Sequence, residues 1–127
     1  MQWSYATGGG VYSSPALSSD GLYIYVGSED GCIYALDSHV GLLAWNYFVG
    51  GSGSAIYSSP AIDVTGILYI GDDNNNIYAL NATTGSFLWK FSTEYCINSS
   101  PAIWEGGVYI GSDDGYLYAF NAQTGIT

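Results

Sequence analysis

The tetrapeptide Ser-Ser-Pro-Ala occurs three times, beginning at Ser13, Ser58 and Ser99. Each copy opens the same passage: a Tyr-rich strand ending in Val-Gly or Ile-Gly, an acidic turn, a strand reading IYAL, IYAL or LYAF, and a hairpin ending in Gly. Trp3, Trp45 and Trp89 lie 42 and 44 residues apart, a period that makes the chain a repeat array before any element is assigned. The third copy reaches Gly125-Ile126-Thr127 and stops short of a Trp. Gly41 to Trp45 and Gly85 to Trp89 are each four steps, and joining Thr127 to Gln2 makes Gly125 to Trp3 four steps as well. The expectation is three whole repeats cut inside one strand.

One unit, from Tyr57 to Phe91, carries four strand signals. Tyr57 to Ile62 is a short run whose Pro60 confines it to an edge or a strand start. Ile67 to Gly71 is a second strand, and Asp72-Asp73-Asn74-Asn75-Asn76 is a turn, because Asp and Asn tolerate left-handed backbone and bond their own amides. Ile77 to Leu80 is the third strand. Asn81 to Gly85 is a hairpin loop closed by a Gly that needs positive φ, and Phe87 to Phe91 is the fourth strand. Four strands per repeat of this length is the period of a β-propeller blade. The predicted fold is all-β, with three four-stranded antiparallel blades at about 4–45, 46–89 and 90–127, residues 2–5 closing the third.

Hydrophobic residues make up 48% and aromatics 17%, which supplies a core and excludes disorder. No apolar run approaches the roughly 18 residues of a membrane span. The N-terminus has no basic region followed by an apolar stretch, so no secretory leader is expected within it. Eleven Asp and Glu face Lys90 alone, for a net charge of −10. Such a surface repels nucleic-acid phosphates and anionic lipid, and attracts cations or basic protein patches. Cys32 and Cys96 fall at different phases of the repeat and are expected as free, buried thiols.

The segments ALDSHVGLLAW from Ala35 to Trp45 and ALNATTGSFLW from Ala79 to Trp89 resemble the tryptophan-docking motif of quinoprotein (PQQ-type) propellers, Ala-x-Asp/Asn-x-x-x-Gly-x-x-x-Trp. AFNAQTGIT from Ala119 begins a third copy. The resemblance implies that Trp3, Trp45 and Trp89, with Gly41, Gly85 and Gly125, are structural docking residues between blades. It also implies an extracytoplasmic setting. Trp104 lies outside the motif and is expected to pack. Some members of that family are quinone- and calcium-dependent dehydrogenases, which use an aspartate base and often a disulfide between adjacent cysteines. No adjacent Cys pair and no distinct base occur here, so the non-enzymatic branch is expected, without catalytic residues, cofactor or metal. A fragment of a PQQ- and calcium-dependent dehydrogenase is the alternative.

No other catalytic set is legible. His39 is the single histidine and lies in the Asp37–Gly41 loop, where it reads as a solvated turn residue. Two sequons, at Asn81 and Asn98, read as chance in an Asn- and Ser-rich chain. The constellation that repeats is acidic: Glu29-Asp30, Asp72-Asp73 and Asp113-Asp114 occupy corresponding turns. In a propeller these turns share one face, so the pairs are a candidate surface for a basic protein or carbohydrate partner, or for a cation. Turn formation alone also explains Asp-Gly pairs. Three blades do not close by themselves, so self-association into a head-to-tail, six-bladed homodimer is expected.

Overall fold

The computed structural model describes residues 2–51 and 53–126. Eleven strands and no helix occur among the described residues. The first sheet comprises β1 (Ala16–Leu17), β2 (Tyr23–Gly27), β3 (Cys32–Asp37) and β4 (Leu43–Phe48), hydrogen-bonded in chain order. The second repeats it with β5 (Ala61–Ile62), β6 (Ile67–Gly71), β7 (Asn76–Asn81) and β8 (Phe87–Ser92). The third holds β9 (Ala102–Trp104), β10 (Gly107–Gly111) and β11 (Leu117–Asn121), and β11 is its edge. All pairings are antiparallel. Two blades are therefore four-stranded within the chain. The third has three strands among the described residues; Trp3 and Tyr5, in the segment that the sequence reading assigns to its fourth, lie against the first blade.

The register repeats with the sequence. Ala35 faces Trp45 and Ala79 faces Trp89, and in both blades the pairing shifts at the next residue, between Ala35 and Leu36 and between Ala79 and Leu80. The third strands of the first two blades, β3 and β7, are almost wholly buried, whereas the corresponding β11 is largely exposed. The fourth strands alternate exposed and half-buried residues, as an outer edge does. One core cluster joins Tyr25, Ile33 and Ala35 of the first blade to Leu68, Ile70 and Leu80 of the second. A second joins Tyr69, Ile77 and Ala79 to Val108, Ile110 and Phe120 of the third. The innermost strands lie side by side, β1 against β5 and β5 against β9.

The innermost strands are shorter than the predicted run from Tyr57 to Ile62, and the serines account for it. Pro60 has no N–H to give a ladder. Gly71 N–H is taken by Ser58 Oγ at 3.2 Å. Ser59 N–H turns sideways to Ser100 Oγ of the next blade at 3.0 Å, as Ser14 N–H does to Ser59 Oγ at 2.8 Å. The Ser-Ser-Pro-Ala repeat is thus a hydrogen-bonded chain running from blade to blade along the inner edge. Trp104 departs from the packing expected of it: it is 69% exposed, on the wall of a cleft of about 430 Å³ between the second and third blades.

Candidate functional site

The inner turns between second and third strands build the candidate face. In the first blade Asp30 Oδ1 accepts Cys32 N–H at 2.8 Å, while Oδ2 accepts Gly8 N–H at 2.8 Å and the Tyr34 hydroxyl. In the third blade Asp114 does the same with Tyr116 N–H at 2.9 Å and the Tyr118 hydroxyl at 2.8 Å. Burial pushes the Asp30 carboxyl up, but bonds from Tyr34, Cys32 and Gly8 outweigh it and hold the group below its usual range. The Asp114 carboxyl is likewise lowered, its bonds from Tyr116, Tyr118 and Glu94 overriding desolvation. The Tyr34 phenol is driven well above its ordinary value by burial and by Asp30.

The second blade arrives at a similar geometry with its carboxylate two positions earlier. Asp72, fully buried, stands one residue after Gly71, where Ser28 follows Gly27 and Ser112 follows Gly111. It accepts Asn74 N–H at 3.1 Å, Asn76 N–H at 2.7 Å and the Tyr78 hydroxyl at 3.0 Å. Asn75 adopts the positive φ of 73° that Gly31 and Gly115 supply elsewhere. The expected three matched carboxylate pairs are therefore not three exposed pairs. Glu29, Asp30, Asp73, Asp113 and Asp114 remain at least partly exposed, and Asp72 is sealed beneath them as a turn-builder.

Near the axis this rim meets aromatic and polar side chains. Tyr12 and Tyr57 pack with ring centroids 5.7 Å apart, and the Tyr57 hydroxyl donates to Glu29 Oε1 at 3.1 Å. Glu29 Oε2 accepts Gly10 N–H at 3.2 Å. In the third blade Asn98 Nδ2 donates to Asp113 Oδ2 at 3.1 Å. Cys32 and Cys96 are free and half-buried. The Cys96 thiol, hydrogen-bonded to Asp73, is raised by that bond first and by burial second. No group of three or more His, Cys, Asp or Glu suited to a metal ion occurs among the described residues. His39 lies exposed in its hairpin, its N–H bonded to Asp37 Oδ1 at 2.8 Å.

The docking residues sit between blades. Trp45 Nε1 donates to Ala82 O at 2.9 Å, and Trp89 Nε1 to Ala122 O at 3.0 Å, each in the outer hairpin of the following blade. Gly85 and Gly125 lie flat under these rings, where a Cβ would come within 2.7 and 2.6 Å of ring carbon. Trp3 makes the same contact with the first blade: its Nε1 donates to Ser38 O at 3.1 Å and its ring covers Gly41. Sequence reasoning missed the Asp–Tyr hydroxyl bonds, although Asp30 and Tyr34 stand at the same spacing as Asp114 and Tyr118.

Stacked four-stranded antiparallel sheets with indoles clasping successive hairpins define a β-propeller of PQQ-like repeats. The family model described as outer membrane protein assembly factor BamB matches residues 52–127, and the chain belongs to that family. No curated protein matches the chain in sequence. Among solved structures, quinohemoprotein alcohol dehydrogenase ADHIIG from Pseudomonas putida HK5 is similar at 26% identity and a TM-score of 0.78, over 90% of this chain and 19% of that one. The WD40 repeats of RRP9 share the fold at 18% identity and a TM-score of 0.85, over 97% of this chain and 39% of that one. BamB from Moraxella catarrhalis, at 18% identity and a TM-score of 0.52, is covered over 50% of its length by 98% of this chain. The chain thus spans between a fifth and a half of these structures. No helix among the described residues is long and apolar enough to cross a membrane.

Proposed function

We propose that this chain is a non-enzymatic propeller module that associates with a copy of itself and presents its acidic loop face to a basic protein segment. The observation that carries the reading is the rim formed by Glu29, Asp30, Asp73, Asp113 and Asp114 in a chain whose one Lys or Arg is Lys90. Clustered like charge focuses a field that attracts cationic partners and is screened by salt. The exposed Tyr12, packed on Tyr57 beside Glu29, adds a flat apolar surface of the kind that anchors interfaces.

The test is titration with a decalysine peptide and, separately, with a neutral oligosaccharide. Expected is peptide binding that weakens with salt and drops in Glu29→Gln/Asp113→Asn. Salt-independent binding, or binding of the oligosaccharide alone, would overturn the basic-partner reading and favour a carbohydrate ligand. The dehydrogenase-fragment reading draws on the 26% identity to the alcohol dehydrogenase. A quinone absorbance retained by the chain in the presence of calcium would move the conclusion to it.

A further inference from the structure

The turns that join first to second strands leave a cleft between the second and third blades, at the end of the sheets away from the acidic rim. It holds about 430 Å³, within the range of small-molecule sites. Ile62, Val64, Ile103 and Trp104 line it with apolar groups, and Asp63 and Glu105 are its two carboxylates. The two blades that form it are packed on each other through Tyr69, Val108 and Ile110. The cleft therefore belongs to an interface made within the chain.

Asp63 is fixed and charged. Its Oδ1 accepts Thr65 N–H at 2.9 Å, the Thr65 hydroxyl at 2.6 Å and Ile67 N–H at 3.0 Å. Its Oδ2 accepts the hydroxyl of the fully buried Tyr69 at 2.8 Å. Burial pushes the carboxyl up, but these bonds outweigh it and hold the group below its ordinary value of 3.8. Four bonds match the roughly four acceptor sites of a carboxylate, so little is left for a ligand hydroxyl. The negative charge is left. Lys90, the chain's single Lys or Arg, is not among the residues that line the cleft.

Glu105 stands at the cleft against the preference of its turn. The corresponding connection spans residues 18–22 in the first blade and 63–66 in the second, but only Glu105 and Gly106 in the third. Both have positive φ, 46° and 78°. A two-residue hairpin of that backbone favours Asn or Gly at its first position, because a longer side chain is strained there. Ala122 N–H donates to Gly106 O at 2.8 Å and ties the turn to the outer hairpin. The turn thus carries a carboxylate where an Asn would fold better.

We propose that this cleft binds a small organic ammonium ion, its nitrogen toward Asp63 and Glu105 and its carbon substituents against the apolar walls. Two carboxylates in a concave, partly apolar site focus a field that selects a cation. A bare metal ion would need several oxygens free to coordinate it, and those of Asp63 are committed to their own turn. A sugar would need the same acceptors. An alkylated ammonium needs neither, since it takes charge from the carboxylates and contact from Ile62, Val64 and Ile103. None of these residues belongs to the acidic rim, so the site is additional to the one proposed above.

The experiment titrates the full chain with choline, with neohexanol, its uncharged analogue in which carbon replaces nitrogen, and with methyl glucoside. Choline at millimolar concentration is expected to shift the amide resonances of Val64, Thr65 and Gln123, and neohexanol to act far more weakly. Glu105→Asn is expected to lower choline affinity about two- to five-fold, as loss of an exposed charge does, while the unfolding midpoint stays level or rises. Val64→Lys, at a fully exposed position, is expected to abolish binding by placing a cation at the cleft. Equal binding of neohexanol, or unchanged choline affinity in Glu105→Asn, would overturn the selection by charge. Shifts at these amides from methyl glucoside alone would give the cleft to a sugar, and no shift from any of the three would overturn the site. Glu29→Gln/Asp113→Asn is expected to leave choline binding intact, so this proposal and the basic-partner reading can each fail alone.

Discussion

Trp45 donates its indole N–H to the carbonyl of Ala82, 2.9 Å away, while its ring covers Gly85. Two demands meet at that glycine. Its φ of +76° strains any residue with a Cβ, and that Cβ would lie 2.7 Å from the indole. Gly66, at φ +87° with nothing within 4 Å, carries the first demand alone. Gly66→Ala is expected to cost about 1–2 kcal/mol. Gly85→Ala is expected to cost about 1–3 kcal/mol more, because the ring must move. Urea unfolding of both variants measures the difference, and equal costs would show that the indole yields freely.

The buried Asp72 is a prediction about compensation. Asp72→Ala leaves two backbone amides and the Tyr78 hydroxyl without their buried acceptor, a loss of about 2–4 kcal/mol. Asp72→Ser with Asn74→Asp rebuilds the turn found in the first and third blades, where a serine follows the glycine and Asp30 or Asp114 bonds the tyrosine. The double variant is expected to recover most of the stability, read as the midpoint of chemical unfolding.

Much of the fold was legible because the repeat states it three times. The predicted strands at Ile67 to Gly71, Ile77 to Leu80 and Phe87 to Phe91 match β6, β7 and β8 to within a residue at each end. The innermost strands were overread, since the serine hydroxyls that divert their amides toward the next blade are invisible to pattern and propensity. The rim was legible as a cluster but not in phase. Asp72 and Asp73 look like Asp113 and Asp114 in composition, and only the position of Gly71 and the hydroxyl of Tyr78 reveal that Asp72 occupies a serine's place. Trp104 was misjudged because apolar character alone does not say on which side of a short edge strand a ring will stand.

Acid and alkali are expected to bound a stability plateau. The Asp63 carboxyl is pushed up by burial but held below its ordinary value of 3.8 by bonds from Thr65, Ile67 and Tyr69, and Asp30 and Asp114 are lowered too. Groups with depressed folded values stabilise above the unfolded value and lose that contribution as pH falls through the folded one. Stability should therefore decline below about pH 4. Tyr69 and Tyr78 are raised above 10.0, chiefly by burial and then by Asp63 and Asp72, so their contribution is complete below that pH and is lost above it. Unfolding midpoints across pH check both limbs, and Asp63→Asn should flatten the acid one.

Thiol reactivity gives a local probe of the rim. The Cys96 thiol is raised by its hydrogen bond to Asp73, then by burial. Because the thiolate is the reactive form, Cys96 is expected to react with a neutral disulfide reagent at pH 8 more slowly than free cysteine. Asp73→Asn is expected to speed it several-fold. An unchanged rate would separate Cys96 from the acidic face.

Each indole reaches forward onto the next hairpin and never back, so adjacency is written once per unit and in a single sense. Such a grammar has order but no counter. Nothing in the clasp between Trp45 and Gly85 distinguishes the second unit from a fourth, and the bend between neighbours, not the clasp, decides when the row meets its own beginning. Duplicating one unit in the gene would extend the arc without inventing a contact. Splicing two copies in tandem, Thr127 to Gln2, would carry the same row onward in one polypeptide, which makes the number of units a quantity that recombination can change faster than point mutation can.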